Sequence, residues 1–207
     1  MTWPKFLKTL GRGMTKNKDF SVTGSLAGKC LISMRGMTDP RFEKSVIYIC
    51  SHAPEEGAMG FVINKPAAHV AYSEILLQLG LPLGDKENYP VVLSGGPMEN
   101  IRGFVLHSND YRQSDSTPVD EDISLTATMD ILADIAAGTG PKHALFLLGY
   151  SGWRDGQLEA EIAGNCWLVV PANDFLMFEC PFSRRWTQAL ALLGVNPSML
   201  SIEQGSV

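Results

Sequence analysis

The segment from Ser45 to His52 constrains the fold more tightly than any other stretch of the sequence. Apolar side chains occupy both of its alternating faces, with valine, tyrosine and cysteine on one face and two isoleucines on the other. A strand that is apolar on both faces belongs in the interior of a sheet, with a layer on each side. We therefore predict a central strand here. A turn at Pro54–Gly57 then leads into a partner strand, Met59 to Lys65, which Pro66 ends.

The remaining elements follow from the spacing of apolar residues and from the glycines and prolines that bound them. Strands are predicted at Cys30–Met34, Val91–Ser94, Arg102–His107, Ile123–Thr126 and His143–Gly149. Helices are predicted at Tyr72–Leu79, Met129–Ala137, Gln157–Ala163 and Ser183–Leu193, and a long mobile loop at Ser108–Asp122. Strands come as neighbours first and alternate with helices later. This order favours an α+β fold with a mixed sheet over a strict βαβ series.

Charge is distributed unevenly along the chain. The 207 residues carry a formal net charge of -5, yet the first five charged side chains are all basic, namely Lys5, Lys8, Arg12, Lys16 and Lys18. We therefore expect a flexible basic N-terminal arm at residues 1–19 and a single domain at residues 20–207. Because the domain is acidic and lacks a helix-turn-helix, zinc-finger or basic-helix pattern, we expect no specific DNA binding from it.

Apolar runs and cysteines bear on where the protein works. No apolar run approaches the roughly 20 residues of a transmembrane helix, and Gly11 and Gly13 stand where a secretory signal needs its apolar stretch. We expect a cytoplasmic protein that does not associate with membranes. The four cysteines lie far apart and form no C-x-x-C pair, so we expect reduced thiols. Cys50, on the central strand, is expected to be buried and unreactive.

The histidines do not form a metal-binding pattern. Cys50 and His52 share one strand face, but two soft ligands do not make a site. The other three histidines, among them His107, have no partner at ligand spacing. We therefore expect neither a metal nor a cofactor.

Two glycine-rich turns are candidates for binding. Gly95 and Gly96 follow an apolar strand, where they either cradle an anion with backbone N–H groups or form a tight turn. The second turn, Gly149 to Trp153, resembles a serine-hydrolase nucleophile elbow. It lacks the last glycine of that motif, and every histidine precedes Ser151. Trp153 is either a stacking platform or part of the core.

Several ordered blocks of the sequence resemble one known family. The segment Gly36–His52, followed by Gly57–Pro66, looks like the opening signature of the YqgE/AlgH family of bacterial proteins. Later blocks match in order: Gly95–Pro97, Gly103–His107, Gly149 and Tyr150 with Trp153, Gly156–Glu159 with Glu161, Asn165 with Trp167 and Leu168, and Arg185 with Trp186. The likeness covers about Ser25 to Gly194.

This resemblance implies an α+β fold, a single domain with a bifurcated mixed β-sheet flanked by helices. It implies no catalytic residues, and the family's label suggests a regulatory, transcription-related role. One hypothesis is therefore a non-catalytic module that binds a small ligand or a protein partner. The alternative is an enzyme, for instance a hydrolase of a small substrate, in which His52, His107 and Glu161 do acid–base work with Asn64, Lys65 and Gln157 nearby.

A ligand site, where there is one, is expected at the strand ends, because binding groups of α/β scaffolds commonly lie there. The predicted ligand-binding residues are Asn64, Lys65, Gly95, Gly96, His107, Trp153, Gln157 and Glu161. Lys65 is the expected anion contact and Trp153 the expected platform. The opposing interpretation is that these polar groups only tie loops together, and that the glycines only form turns.

Overall fold

The computed structural model of the protein describes residues 24–34, 36–84 and 89–195. Nine strands make up one sheet: β1 Lys29–Ser33, β2 Val46–Ala53, β3 Gly57–Val62, β4 Val92–Ser94, β5 Met98–Ser108, β6 Thr117–Pro118, β7 Ile123–Thr126, β8 Ala144–Trp153 and β9 Trp167–Pro171. Four helices flank it: α1 Tyr72–Gln78, α2 Asp130–Ala137, α3 Gln157–Ala163 and α4 Phe182–Ala191. The predicted basic arm at residues 1–19 lies outside the described residues.

The sheet divides along strand β8. The strand order is β6-β7-β5-β8-β3-β2-β1-β9, with neighbours antiparallel, and β4 adds to β8 in parallel. The first half of β8 pairs with β4 through Phe146, whereas its second half pairs with β3 through Ser151 and Trp153. One strand thus changes partner along its length, so the sheet is mixed and bifurcated. The α+β fold that the family resemblance implied is confirmed.

The division creates three hydrophobic clusters. One face of the sheet carries the largest cluster, which α4 covers with Ala189 and Leu190. The opposite face splits in two: α3 covers the β1–β2–β3 part with Leu158, while α1 and α2 cover the part around Val105 and Phe146. Strand β2 is buried along nearly its whole length because it contributes side chains to the first two clusters, as its two apolar faces predicted.

Most predicted elements are present within a residue or two of their expected bounds. Strands β5 and β8 are each longer than predicted, and β8 includes Trp153 as its last residue. Strand β9 was missed, although its run of Trp, Leu and two valines is typical of a strand. Residues Pro40–Phe42 form a 3-10 turn in which the Asp39 carboxylate accepts the backbone N–H of Arg41, as proline and aspartate in a turn favour. A π-helical turn at Phe175–Glu179 was not predicted.

The expected mobile loop from Ser108 to Asp122 is instead closed by hydrogen bonds. Asn109 donates through Nδ2 to the carbonyls of Asp120 and Glu121, and Thr117–Pro118 pairs with β7. The Asp120 carboxylate accepts a hydrogen bond of 2.5 Å from the hydroxyl of Tyr48, which fixes the loop to the central strand. Burial raises the pKa of the Tyr48 hydroxyl, so this hydroxyl stays a donor. Polarity alone had predicted mobility, and the bond from Tyr48 to Asp120 spans 72 residues, a distance over which no local pattern reports.

Candidate functional site

Helix α3 carries the densest group of predicted site residues. The Glu161 carboxylate accepts hydrogen bonds through Oε2 from the indole N–H groups of Trp153, at 2.9 Å, and Trp167, at 2.7 Å. Its Oε1 accepts a third bond, of 2.8 Å, from Nε2 of Gln157, one helical turn earlier. The two indole rings meet edge to face, 6.0 Å apart, under the helix. We call these four residues, Trp153, Gln157, Glu161 and Trp167, the α3 clamp.

The clamp follows from where the sequence places its members. Strand β8 ends at Trp153, and Gly156 adopts a left-handed φ of 65° that reverses the chain into the helix. Gln157 accepts the backbone N–H of Arg154 with its side-chain oxygen, so its amide group points back to Glu161. Both tryptophans are almost fully buried. Their indole N–H groups need an acceptor in the interior, and Glu161 supplies it.

The other face of α3 carries a histidine–carboxylate pair. The His52 side chain is fully buried, and its Nε2 lies 2.7 Å from Oε1 of Glu159. Its Nδ1 accepts the backbone N–H of Leu26 at 3.0 Å. A backbone N–H can only donate, so Nδ1 carries no proton and Nε2 carries the one that Glu159 accepts. Both nitrogens of His52 are therefore occupied.

Asn64 and Lys65 lie at the opposite end of β3 from the clamp. Asn64 accepts the backbone N–H of Val46 at 2.8 Å and donates to the carbonyl of Lys44 at 2.9 Å, so it ties the Lys44 turn to the sheet. Lys65 donates through Nζ to the carbonyl of Arg41 at 2.6 Å. Partial burial lowers the pKa of the Lys65 ammonium, while Glu43 and Asp39 act in the raising direction.

The structure does not place Lys65 beside Trp153. Trp153 pairs with Ala58 near the start of β3, and Lys65 follows beyond Val62 at its end. The four residue steps from Ala58 to Val62 span about 13 Å. The Trp153 ring packs edge to face on Trp167, whose ring in turn packs on Phe42. Joint ligand contact by Lys65 and Trp153 therefore stays a prediction that this geometry does not favour.

The glycines of the Gly95–Gly96 turn allow two chain segments to cross closely. A Cβ on Gly95 would come within 2.4 Å of the Gly149 carbonyl oxygen, and one on Gly96 within 2.2 Å of the Tyr150 carbonyl carbon. The N–H of Gly95 donates to the carbonyl of Leu148, so it is not available to an anion. This contact lies where β8 changes partner. It is the steric reason for the glycines, and it favours the tight-turn interpretation.

His107 lies inside the sheet, away from the α3 clamp. It is fully buried on β5, donates through Nδ1 to the carbonyl of Ser108 at 3.0 Å, and accepts the hydroxyl of Thr126 at 2.9 Å through Nε2. Ser116 in turn lies 2.8 Å from that hydroxyl. Burial lowers the pKa of His107, which keeps the ring neutral.

The predicted site residues thus form three separate groups. Trp153, Gln157 and Glu161 meet at the clamp, Asn64 and Lys65 stand at the other end of β3 near the Gly95 turn, and His107 is enclosed in β5. His52 lies near the clamp helix but binds Glu159, a residue that the sequence did not single out. Throughout the described ranges, no three histidine, cysteine or acidic side chains are grouped so that they could hold a metal ion.

The most unusual charge in the structure, Arg185, was not recognised from the sequence. Its side chain is 1 % exposed, donates through Nε to the carbonyl of Cys180 at 3.0 Å and through Nη1 to that of Ile63 at 2.5 Å. The guanidinium also lies 4.5 Å from the ring centre of Phe182. Burial lowers the pKa of Arg185 to about 10. None of the ion pairs found among the described residues includes it.

Large apolar side chains are exposed at several places, of which Ile101 on β5 is the most exposed, and five of them lie between Val70 and Val91. In and around α1, five of them are between 36 % and 63 % exposed: Val70, Leu77, Leu79, Leu83 and Val91. We call these five residues the α1 apolar segment. A single exposed leucine is common, whereas several along one stretch are typical of an interaction surface. Within the described residues, no helix is long and apolar enough to cross a membrane.

The thiols agree with the expectation from the sequence. All four cysteines are free, and Cys50 and Cys30 are fully buried. Burial raises the pKa of Cys30 to about 12 and raises that of Cys50 as well. Both thiols are therefore protonated at neutral pH.

Solved structures share this fold. The solution structure of the AlgH protein from Pseudomonas aeruginosa is 38 % identical, with a TM-score of 0.71 over 92 % of this chain and 100 % of that one. A crystal structure of a Corynebacterium diphtheriae protein, 20 % identical, has a TM-score of 0.65 over 86 % of this chain and 88 % of that one. At this lower identity the likeness concerns the fold alone.

Sequence relatives match over most of their length. A UPF0301 protein from Methylocella silvestris is 48 % identical over an alignment of 188 residues, and the match covers 87 % of this chain and 91 % of that one. Another UPF0301 protein, from Rhizobium rhizogenes, is 48 % identical over an alignment of 190 residues, and the match covers 88 % and 93 % of the two chains. Residues 30–198 match the family described as AlgH-like, DUF179. The clamp, the bifurcated sheet and the buried arginine all fall inside this matched region, and the chain belongs to the AlgH-like family.

Proposed function

We propose that this protein is a non-catalytic binding module of the cytoplasm that contacts a protein partner through the α1 apolar segment. The role that best suits such a module is regulatory and transcription-related, as the family label suggests. The observation that carries the proposal is the exposure of the segment, in which Leu77 is 63 % exposed. Water-exposed leucines and valines favour burial against a partner, at about 25 cal/mol per Å² of apolar surface removed from water.

The polar groups that an enzyme would need support the same proposal. A general base requires a nitrogen or carboxylate that is free to take a proton. His52 is bonded at both nitrogens, the Glu161 carboxylate already accepts three hydrogen bonds, and His107 is enclosed between Ser108 and Thr126. In the hydrolase alternative each of these groups must first lose a native partner. Small-ligand contact by one or more of the predicted residues remains a subsidiary proposal: Asn64, Lys65, Gly95, Gly96, His107, Trp153, Gln157 and Glu161.

Photocrosslinking in the native bacterium tests the binding surface. A photoreactive residue is introduced separately at Leu77 and at Leu83, with a matched control at Glu55, which is exposed on the β2–β3 turn. We expect one discrete adduct from the first two positions, absent at Glu55 and reduced when Leu79→Glu is added to the same chain. Equal labelling at all three positions, or no adduct at Leu77 and Leu83, would contradict the proposal.

A turnover assay tests the hydrolase alternative independently. The purified full chain is incubated with model esters, amides and phosphoesters, and Glu161→Gln serves as the comparison. We expect no turnover above the uncatalysed rate from either protein. Saturable turnover that the substitution abolishes would establish the enzyme instead.

A further inference from the structure

Beyond any partner-binding role, one feature of the fold has the properties of a switch. The segment Gly24–Leu26 leads from residues 1–23 into the domain and crosses the end of β2 beside His52. The Leu26 N–H donates to Nδ1 of His52 at 3.0 Å, and the Ser25 hydroxyl donates to the His52 carbonyl at 3.1 Å. The Leu26 side chain is 4 % exposed and belongs to the cluster under α3. One imidazole therefore joins three parts of the chain: this segment, β2 and α3.

We propose that His52 is a proton-operated latch that holds the segment Gly24–Leu26 against the sheet in its neutral form and releases it on protonation.

The geometry permits only one protonation state with all bonds made. In the neutral ring, Nε2–H donates to Glu159 at 2.7 Å and the Nδ1 lone pair accepts from Leu26. A second proton has to go to Nδ1, because Nε2 already carries one. It places an N–H group against the Leu26 N–H, two donors at hydrogen-bond distance, and the attraction becomes a repulsion. The bond to Glu159 survives and becomes an ion pair, so the ring stays with α3 while the segment is released.

Charged groups around the ring do not supply an alternative acceptor for Nδ1. Helix α3 contributes Glu159, which faces Nε2, and β3 contributes Ala58 opposite His52. The segment itself contributes Ser25, whose hydroxyl is used on the His52 carbonyl. In the flanking turns the charged side chains are exposed, and none hydrogen-bonds to the ring in the described part of the chain: Glu55, Glu56, Arg154 and Asp155.

Two substitutions separate the two halves of the latch. In His52→Asn the side-chain amide oxygen takes the place of Nδ1 and accepts from Leu26 at every pH, because an amide does not titrate. In His52→Gln the longer side chain reaches the place of Nε2, so it retains Glu159 and loses the acceptor for Leu26. The first variant should keep the Leu26 hydrogen bond at every pH, and the second should lack it at every pH.

The test is hydrogen exchange of the Leu26 amide in the full-length protein, expressed as a protection factor that corrects for the intrinsic pH dependence of exchange. In the wild-type chain we expect the protection factor of the Leu26 amide to fall by about tenfold as the pH is lowered, because one hydrogen bond of ordinary strength supports a factor of this size. This fall should cover the same pH interval in which ring NMR signals show His52 titrating. His52→Asn should keep its protection throughout that interval, and His52→Gln should show low protection at every pH.

Other outcomes overturn the latch. It is wrong when wild-type Leu26 stays protected while His52 titrates, when His52 stays neutral until the whole protein unfolds, or when His52→Asn loses protection over the same interval. If a variant does not fold, the comparison of Leu26 exchange with the His52 ring signals in the wild-type chain still tests the latch. The nitrogen chemical shifts of His52 near neutral pH must identify Nδ1 as the unprotonated acceptor, and a protonated Nδ1 there rules the latch out.

Discussion

The two faces of the β1–β2–β3 half of the sheet each contain a charged side chain from the covering helix, and the two charges are opposite in sign. On one face α3 brings in an anion, Glu161, which three side-chain N–H groups satisfy. On the other face α4 brings in a cation, Arg185, which two backbone carbonyls satisfy. In each case a charged side chain fastens a helix to its surroundings: Glu161 bonds to the strands that flank α3 in sequence, and Arg185 bonds to Ile63, 122 residues away. The hydrogen bonds compensate the desolvation of both groups, and no ion pair to either group occurs in residues 24–34, 36–84 and 89–195.

The difference lies in what each charge holds. Glu161 joins other side chains, so its loss leaves the strand ladders intact and frees two indole rings. Arg185 joins main chain to main chain, linking Cys180, two residues before α4, to Ile63, the residue after β3. Loss of Arg185 strips the acceptor groups Ile63 and Cys180 of their donor. Loss of Glu161 is therefore expected to loosen the packing around α3 locally, whereas loss of Arg185 is expected to destabilise the whole fold.

The largest effect is expected from Arg185→Ala. The substitution leaves two buried carbonyls without these donors and opens a cavity where the guanidinium lay, which together cost about 4 kcal/mol of the free energy of unfolding. Urea denaturation measures it. The matched control, Arg184→Ala, removes an exposed arginine from the same turn of α4 and should change stability by less than about 0.5 kcal/mol. Equal effects from the two would remove the contrast between the faces.

Arg185→Met sharpens the same test. Methionine fills much of the volume and removes the buried charge together with its desolvation cost. We expect it to recover about half of the loss seen with alanine, because only the unsatisfied carbonyls remain. A methionine variant as unstable as the alanine variant would show that the guanidinium hydrogen bonds account for nearly all of the contribution.

Glu161→Ala should have a smaller effect, about 3 kcal/mol, because it leaves the indole N–H groups of the two buried tryptophans without the carboxylate that accepts from them. The tryptophan environment should change with it, so near-ultraviolet circular dichroism and fluorescence should report looser rings before global unfolding. Glu161→Gln keeps one carbonyl oxygen for the indoles and should lose about 1 kcal/mol. Glu55→Ala, an exposed acid near α3, is the control. An unchanged tryptophan spectrum in Glu161→Ala would contradict the clamp.

Sequence patterns predict the elements of this fold because their cause is local. The two-faced apolar run of β2 and Gly80, which follows α1 with a left-handed φ of 69°, act over a few residues, and both appear as expected. Successive side chains of β2 point to opposite faces of the sheet, and this alternation explains why the strand contributes to two hydrophobic clusters. The family resemblance added the bifurcation of the sheet, which local periodicity does not contain. Strand β9 shows the opposite case, in which an adequate local signal was overlooked.

The contacts of the candidate site could not be predicted in this way. The bond from Arg185 to Ile63 spans 122 residues, and the one from His52 to Glu159 spans 107. No periodicity connects such positions. Gln157 and Glu161 were singled out because helical spacing is local, but their partner Trp167 lies on β9, the strand that was missed. Polar residues at strand ends were expected to converge on one site. Instead, the α3 clamp lies at one end of β3, and Asn64 and Lys65 lie at the other.

Unlike Glu161 and Arg185, His107 is a buried titratable group that stays neutral. Burial lowers its pKa in the folded protein, whereas an unfolded chain has a histidine pKa of about 6.5. Below that value the unfolded state binds a proton that the folded state refuses, so stability falls with falling pH. The contribution of His107 is therefore complete above about pH 6.5 and is lost as the pH drops toward the lowered folded value.

The corresponding test compares wild type with His107→Asn, whose amide N–H still donates to the Ser108 carbonyl and does not titrate. Between pH 7.5 and 5.5 we expect the free energy of unfolding of wild type to fall relative to this variant by about 1 kcal/mol, since the slope is at most about 1.4 kcal/mol per pH unit. Taking the difference between the two proteins cancels the titration of His52 and of the carboxylates. Parallel pH profiles would mean that the folded protein accepts the proton on His107 as readily as the unfolded chain does. In that case the Ser116–Thr126 hydroxyl pair must rearrange to receive an N–H from the ring, and neutrality would not be a property of this buried position.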